Sequence, residues 1–492
     1  MKSDVLRRLF PTGQQLRAAA PFLAILLASA VVRLWNLGKQ SLWFDETYTA
    51  YVAQKSPDLM MRFLITDGVH PPLYYWMMAL WVRLFGTSAG VLRLPSAIAG
   101  VLSVGLMYLL VRRIAGKTEA ALAALLLGLS PFFVWYSQDA RMYAVDCLAA
   151  IAAVFVFWQL IQKPSWKNLA GMILTHAVFY GLHYFGVFLL LAEICFLILF
   201  RKKYGACWKF FLLAQAAAFL PLAWWIAILL RRVNGSFGIG WIPKPAGMDP
   251  FVTIVNFFFA NAGVWTVAVG LGTVVLGVLF ALSFFTRKSP EALWFGLLWL
   301  ILPILVIWVL SQSVPVYIDR YLIFTLPAAV LLIALGAARI PGPGKFVLPG
   351  VLILLMFGAI WNLNVPTDGF HKEEWRAAAE YIRGEYRPDD LILLRVYQDT
   401  VPLEYYGLLN LSWNTFEING QSNLPKIQPP GGKCILVYWL PAQSAHSFGT
   451  GIPGIYTEMN SAIQDWIATN CRGGELRRAF HGILIVRNEY IP

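Results

Sequence analysis

The sequence predicts a polytopic α-helical membrane protein of about eleven spans, followed by a smaller α/β domain. Three observations carry that expectation. Apolar residues make up 59% of the 492-residue chain and charged residues only 13%, where a soluble domain carries roughly 25% charged residues. Apolar runs near the ~20 residues that a helix needs to cross the hydrocarbon recur as far as residue 363. After Thr367 they give way to mixed, turn-punctuated segments. A mean hydropathy of +0.63 and 20 tryptophans fit a chain with two bilayer interfaces, where amphipathic rings settle.

The N-terminal stretch from Met1 to Arg17, followed by apolar residues from Ala18 to Leu34, has the outline of a signal peptide. Its apolar run is too long for a signal h-region, and no small-residue cleavage site interrupts it. It reads as an uncleaved first span. The expected spans are 18–36, 91–111, 119–136, 142–161, 168–183, 185–200, 209–230, 262–285, 291–311, 321–338 and 346–363.

Basic residues set the expected orientation. One set of ends carries Arg7, Arg8 and Arg17; Arg112, Arg113 and Lys117; Lys163 and Lys167; Arg201, Lys202, Lys203 and Lys209; Arg287 and Lys288; Arg339 and Lys345. The opposite ends hold chiefly Arg141, Arg231, Arg232, Lys244 and Arg320. This places the N-terminus in the cytoplasm and everything after Asn364 outside. A net charge of +13 raises nucleic acid as a partner. Because the basic residues fall mostly in short connections between apolar runs, the charge reads as topogenic instead, facing anionic membrane lipids.

Three outward segments stand apart. The first, 37–90, mixes polar residues with aromatic patches and predicts short helices lying along the interface. The second is Ser137-Gln138-Asp139-Ala140-Arg141-Met142-Tyr143. The third, 231–255, includes the glycine-rich Asn234–Gly240, which fits a lid or a plain connection. The chain therefore divides into a membrane domain, 1–366, and an exported α/β domain, 367–492. In the latter, Lys372–Ile382 reads as an amphipathic helix and Ser461–Thr469 as a second helix. Asp390–Val396, Cys434–Trp439 and Gly482–Val486 read as strands. Of five cysteines, only Cys434 and Cys471 fall in the exported domain, where a disulfide is open to them.

Asp45 and Glu46 follow the first span directly. They either mark the membrane boundary or, hemmed in by Trp43, Phe44, Tyr48 and Tyr51, form a functional pair with perturbed protonation. His70 precedes Pro71-Pro72, which end an extended approach and open a helix. It has a structural role there, or contacts a phosphate, a metal or a substrate hydroxyl. Asp139 and Arg141, flanked by Tyr136 and Tyr143, either pair with each other or form part of a site, as costly ionisable groups at a membrane edge usually do. In Tyr317-Ile318-Asp319-Arg320-Tyr321, the Arg320 guanidinium suits a phosphate at headgroup depth or anchors the interface. His176, His183 and Glu193 read as packing or lumen-lining groups.

Taken together, Phe44-Asp45-Glu46, His70-Pro71-Pro72-Leu73-Tyr74-Tyr75-Trp76, Arg93-Leu94-Pro95-Ser96, Tyr136–Tyr143 and Val316–Pro327 resemble the membrane glycosyltransferases of the GT-C fold. The nearest group is the bacterial family 39/83 type, relatives of protein O-mannosyltransferases and lipid A aminoarabinose transferases. The resemblance covers residues 20–365 and is most specific in the first 145. It implies inverting transfer of one sugar from a polyprenyl-phosphate donor to a lipid, glycan or protein acceptor at the extracytoplasmic face of a bacterial plasma membrane. Asp45 then takes the role of general base, with Glu46 as the accompanying acid and Asp139 as the second-loop acid that orients a substrate. Carboxylates suit the oxocarbenium-like state of such a reaction. Arg141 and Arg320 are the groups that would neutralise the leaving phosphate, with His70, Tyr136 and Tyr317 as further substrate contacts. The aminoarabinose transferases carry an acidic-basic pair where this chain has Val69-His70. A metal site is therefore not carried over from them; a divalent metal stays open, and the sequence specifies no other cofactor.

Two other functions compete. A non-catalytic binder or transporter of lipid-linked glycans would need a polar path through the spans, and few ionisable residues line one. A receptor or assembly protein acting through residues 368–492 would tolerate substitution of Asp45 and Asp139.

Overall fold

The computed structural model describes residues 13–231, 242–260, 267–286, 289–364, 372–387, 390–394, 400–408, 413–415, 417–418, 421–422, 433–439, 471–480 and 483–490. The expected Asn234–Gly240 lid and Ser461–Thr469 helix lie outside the described residues.

Up to residue 364 the described residues are mostly helical. Among the described residues, six helices are long and apolar enough to cross a membrane, or seven if the bent pair Lys117–Gly128 and Pro131–Ser137 forms one span. The sequence leads to about eleven. Among the other expected spans, Trp166–Leu182 and Val267–Ser283 have 17 residues each. At ~1.5 Å per residue such helices reach about 25 Å, short of the ~30 Å hydrocarbon.

The bend of 58° in the pair has a local cause. Pro131 has no N–H to continue the helix before it, and it opens the next helix at a first-turn position. Ser130 caps that helix, its Oγ accepting from Phe133 N at 3.1 Å and donating to Phe257 O at 2.6 Å. The carbonyls left at the break are answered by Arg33, whose Nη1 donates to Gly128 O at 2.7 Å and to Ser29 Oγ at 2.8 Å. Gly100 makes room for this guanidinium, since a Cβ there would stand 2.4 Å from Arg33 Nε.

Three short helices fill the first connection, Phe44–Ala53, Pro57–Asp67 and Leu73–Phe85. Ser56 caps the second at Leu59 N, and Gly68 ends it in the left-handed region at φ 65°, a conformation that costs glycine little. Trp76, Leu80 and Leu84 form an exposed apolar stripe on the third, with the i, i+4, i+8 spacing of one helix face. A helix absent from the sequence reading, Asp249–Phe259, packs against Pro131–Ser137.

In the C-terminal region the amphipathic helix begins at Trp375 rather than Lys372 and runs to Glu385, burying Trp375, Ala378, Ala379 and Ile382. It packs near a mixed five-stranded sheet of order β2-β1-β5-β7-β6, comprising β1 (Leu391–Leu394), β2 (Trp413–Thr415), β5 (Lys433–Trp439), β6 (Cys471–Phe480) and β7 (Ile483–Tyr490). A two-stranded ribbon, β3 (Glu417–Ile418) and β4 (Gln421–Ser422), stands apart. Strands β2, β1 and β5 are parallel, while β7 runs antiparallel to both β5 and β6. Cys434 registers with Asn488 and Cys471 with Tyr490 on opposite sides of β7. Two strand spacings put their backbones roughly 10 Å apart, beyond the ~7 Å reach of a disulfide. The bridge left open by the sequence does not fit this register.

Candidate active site

Glu46 and Asp45 are consecutive on the Phe44–Ala53 helix, and the fold treats them oppositely. Glu46 is fully buried. Its Oε1 and Oε2 each receive an Arg93 nitrogen at 2.6 Å, Ala140 N donates at 2.8 Å, and Lys372 Nζ stands at 3.2 Å. Burial would raise its pKa, but the charges of Arg93 and Lys372 outweigh that and hold it near 2. Arg93 also donates to the carbonyls of Leu37, Gln40 and Ser41. Glu46 therefore sits where the first connection, the helix Ala89–Ile114 and the second connection are pinned together.

Asp45 faces the other way. Its side chain keeps 22% of its surface open and lies 3.8 Å from Arg141 Nε. Arg141 is buried and held on its far side by His70 Nε2 at 2.8 Å and Tyr75 Oη at 3.0 Å. A guanidinium has only N–H groups to offer, so His70 Nε2 must be the acceptor and Nδ1 must carry the proton. Burial, with the Arg141 charge beside it, drives the His70 pKa well below its usual value and keeps the ring neutral. Among the described residues its Nδ1 has no hydrogen-bond partner.

Asp139 is also fully buried. Its Oδ1 accepts from Trp43 Nε1 at 2.7 Å and lies 3.4 Å from Lys372 Nζ, while Oδ2 has no hydrogen-bond partner among the described residues. Burial raises its pKa to about 6 against the pull of Lys372. The Asp139–Arg141 pair considered from the sequence does not form. Each side chain pairs elsewhere, Asp139 with Lys372 and Arg141 with Asp45.

Arg320 closes the group. Its guanidinium carbon lies 5.7 Å from the Trp43 ring centre, 5.6 Å from that of Tyr321 and 6.0 Å from that of Tyr143. Tyr143 in turn packs edge-on to Tyr136, with ring centres 5.1 Å apart. Asp319 accepts from Asn256 Nδ2 at 3.0 Å, and Tyr317 Oη shares a hydrogen bond with Thr253 Oγ1 at 2.8 Å. Tyr317 thus braces the Asp249–Phe259 helix, one step removed from the charged cluster.

The fold gathers the sequence candidates Asp45, Glu46, His70, Tyr136, Asp139, Arg141 and Arg320 into one cluster. It adds residues that sequence reasoning missed. His183, expected only as a packing or lumen-lining group, has its ring centre 5.4 Å from that of His70 and 4.9 Å from that of Tyr321. Its Nδ1 accepts from Phe185 N at 3.3 Å, which leaves Nε2 as a buried N–H without a hydrogen-bond partner. Asp67, the last residue of its helix, is raised to about 6 by burial, eased by Arg141. Lys372 and Glu373 come from the far side of the last long helix, and no spacing rule linked them to residues 43–46. Among the described residues no group of three or more His, Cys, Asp and Glu could hold a metal ion. His70 Nε2 is already taken by Arg141, so these side chains do not form a metal-binding set.

Comparison with known proteins bears on the fold. The model of the dolichyl-phosphate-mannose-protein mannosyltransferase family matches residues 69–225, which hold His70, Asp139, Arg141 and His183. "Putative mannosyltransferase YkcB" of Bacillus subtilis (strain 168) is 32% identical over 152 residues, covering 28% of this chain and 20% of that protein. The match thus spans about a fifth of that relative's length. Among solved structures, ArnT from Cupriavidus metallidurans in the apo state superposes with a TM-score of 0.61 at 14% identity, covering 96% of this chain and 98% of ArnT. ArnT bound to undecaprenyl phosphate gives 0.60 at 13% identity, with coverage of 96% and 98%. The chain has the GT-C fold, as its motifs led one to expect, and is similar to membrane glycosyltransferases.

Proposed function

We propose that this chain is an inverting, membrane-embedded glycosyltransferase that moves a sugar from a polyprenyl-phosphate donor to an acceptor hydroxyl. The observation that carries the proposal is the contrast between three acids. Glu46 and Asp139 are fully buried and tied down, whereas Asp45 is partly open and stands 3.8 Å from Arg141. An accessible carboxylate beside fixed cations is what attack by a hydroxyl on a phosphate-activated anomeric carbon needs.

In this reading the acceptor oxygen bonds to the anomeric carbon as Asp45 takes its proton. The bond from that carbon to the phosphate oxygen breaks, and the polyprenyl phosphate leaves with both electrons. Arg141 and Arg320 offset the charge that develops on it. His70, held as a neutral acceptor, keeps the Arg141 fork oriented. Asp139, buried against Trp43 Nε1 and Lys372 Nζ, holds the wall of the site in place, and Tyr136 packs behind it. Glu46 positions the loop rather than reacting, since its oxygens are already engaged. The similarity to ArnT bound to undecaprenyl phosphate and to the mannosyltransferase family model supports a lipid-phosphate donor. Residues 1–366 form the membrane domain in this scheme and 367–492 the extracytoplasmic one, with the N-terminus in the cytoplasm as the basic residues require.

Binding of undecaprenyl phosphate to the purified full chain tests the anion assignment. Arg141→Gln and Arg320→Gln should each weaken it about tenfold or more, the ~1.5–3 kcal/mol of a charged hydrogen bond, and Asp45→Asn should not weaken it. Unchanged affinity in both arginine variants overturns the assignment.

A further inference from the structure

The segment that leads into the Trp375–Glu385 helix does more than connect. Lys372 is buried, and its ammonium donates to Gln138 O at 2.8 Å and lies 3.2 Å from Glu46 Oε2 and 3.4 Å from Asp139 Oδ1. Glu373 follows, its Oε2 accepting from Phe44 N at 3.0 Å, at the first turn of the helix that bears Asp45. Arg376 N donates to Ser41 Oγ at 3.1 Å, and the Tyr406 hydroxyl accepts from Leu42 N at 2.7 Å. The backbone approach to Asp45 is therefore fastened at residues 41, 42 and 44 by side chains and backbone from beyond residue 371.

The charges explain why. Glu46 and Asp139 bring two fully buried carboxylates into one place, and a buried charge is strongly destabilising unless paired. Arg93 is committed to Glu46 and three carbonyls. The second positive charge comes only from Lys372 among the described ion pairs that reach these two acids.

We infer that Lys372 is a positioning residue of the active site, so that the C-terminal region completes the catalytic cluster rather than standing over it. Lys372 keeps Asp139 ionised in its buried position, and the neighbouring contacts of Glu373, Arg376 and Tyr406 set the pose of the helix carrying Asp45. This rests on the glycosyl-transfer reading of Asp45 and Asp139.

The charged and titratable groups facing Asp139 are Glu46, Arg93, Lys372 and Arg141, with Tyr74 and Tyr136. Lys372 is the foremost of those that lower the Asp139 pKa, which burial and Glu46 raise to about 6. Without it the carboxyl titrates at higher pH.

The test uses full-length variants and the envelope product that disappears on deleting the gene, formed by membrane vesicles from their endogenous donor. Lys372→Met should move the acidic limb of the pH profile upward by about a unit, so that product formation falls about tenfold well below the limb and about twofold at pH 7. Lys372→Arg should restore most activity and return the limb. An unshifted profile in Lys372→Met, or failure of Lys372→Arg to rescue, overturns the inference. If Lys372→Met does not fold, Lys372→Met/Asp139→Asn, which removes both charges, should fold and be no less active than Asp139→Asn alone. Additive losses there contradict the coupling. Asp45→Asn run alongside separates the two claims. Full product from that variant removes the glycosyl-transfer reading, while its loss together with a neutral Lys372→Met removes only the role of Lys372.

Discussion

Glu46 and Arg93 meet through two parallel hydrogen bonds of 2.6 Å, with neither side chain more than 2% exposed. Two buried charges in this geometry satisfy one another, and removing one leaves the other stranded. Arg93→Ala should therefore cost about 3–5 kcal/mol of stability, read as a fall in the thermal unfolding midpoint of the detergent-solubilised protein. Glu46→Gln should cost less, because an amide oxygen still accepts from Ala140 N. Equal midpoints for Arg93→Ala and the native chain would contradict this.

His70 gives a prediction in which the sign is fixed by its depressed pKa. The folded ring stays neutral while the unfolded ring takes up a proton below about pH 6.5. The unfolded state then binds more protons, so stability falls as pH drops below that value, by up to ~1.4 kcal/mol per pH unit from this one group. His70→Gln removes that contribution and should flatten the decline between pH 6.5 and 5. It should also keep a good part of the activity, since its amide oxygen can accept from Arg141. His70→Leu, which cannot accept, should lose about tenfold or more at pH 7. Identical activities in the two variants would argue against the acceptor role.

Gly100 is predicted to be intolerant for a steric reason. The Cβ of an alanine would meet Arg33 Nε and Ser137 Oγ at 2.4 Å, and overpacking of this kind costs about 1–3 kcal/mol. Displacing Arg33 also strips the break at Gly128 of its donor. Gly100→Ala should lower the unfolding midpoint, and Gly105→Ala, whose nearest neighbour is the Leu26 side chain at 3.7 Å, should not.

Much of this was legible in the residues themselves because the relevant signals are local. Apolar runs located most of the long helices, although the bend at Pro131 falls inside the single span expected over 119–136. The motifs around Asp45, His70 and Asp139 indicated a fold that the superposition on ArnT bears out. What was not legible is long-range. Nothing in the spacing of Lys372 and Glu373 shows that they fold back over more than three hundred residues to meet Glu46 and Phe44. His183 reads from sequence only as a packing or lumen-lining group because its nearness to His70 and Tyr321 is set by tertiary packing. The Asp249–Phe259 helix was hidden in a connection because it is short, and Asp249-Pro250 at its start reads equally as a turn. The resemblance already singled out Asp45 as base, but that its neighbour Glu46 meets Arg93 needed three dimensions. Adjacent acids on a helix point in different directions, and only packing tells which one meets Arg93.

The central claim is that Asp45 is the base. The most direct test is Asp45→Asn in the full chain, expressed in a deletion strain and scored by mass spectrometry of envelope glycolipids and glycoproteins. The account predicts that the product vanishes, a loss of at least 10²-fold as befits a general base, while the purified variant still binds undecaprenyl phosphate. Product formation at the native level by a folded Asp45→Asn protein would contradict it.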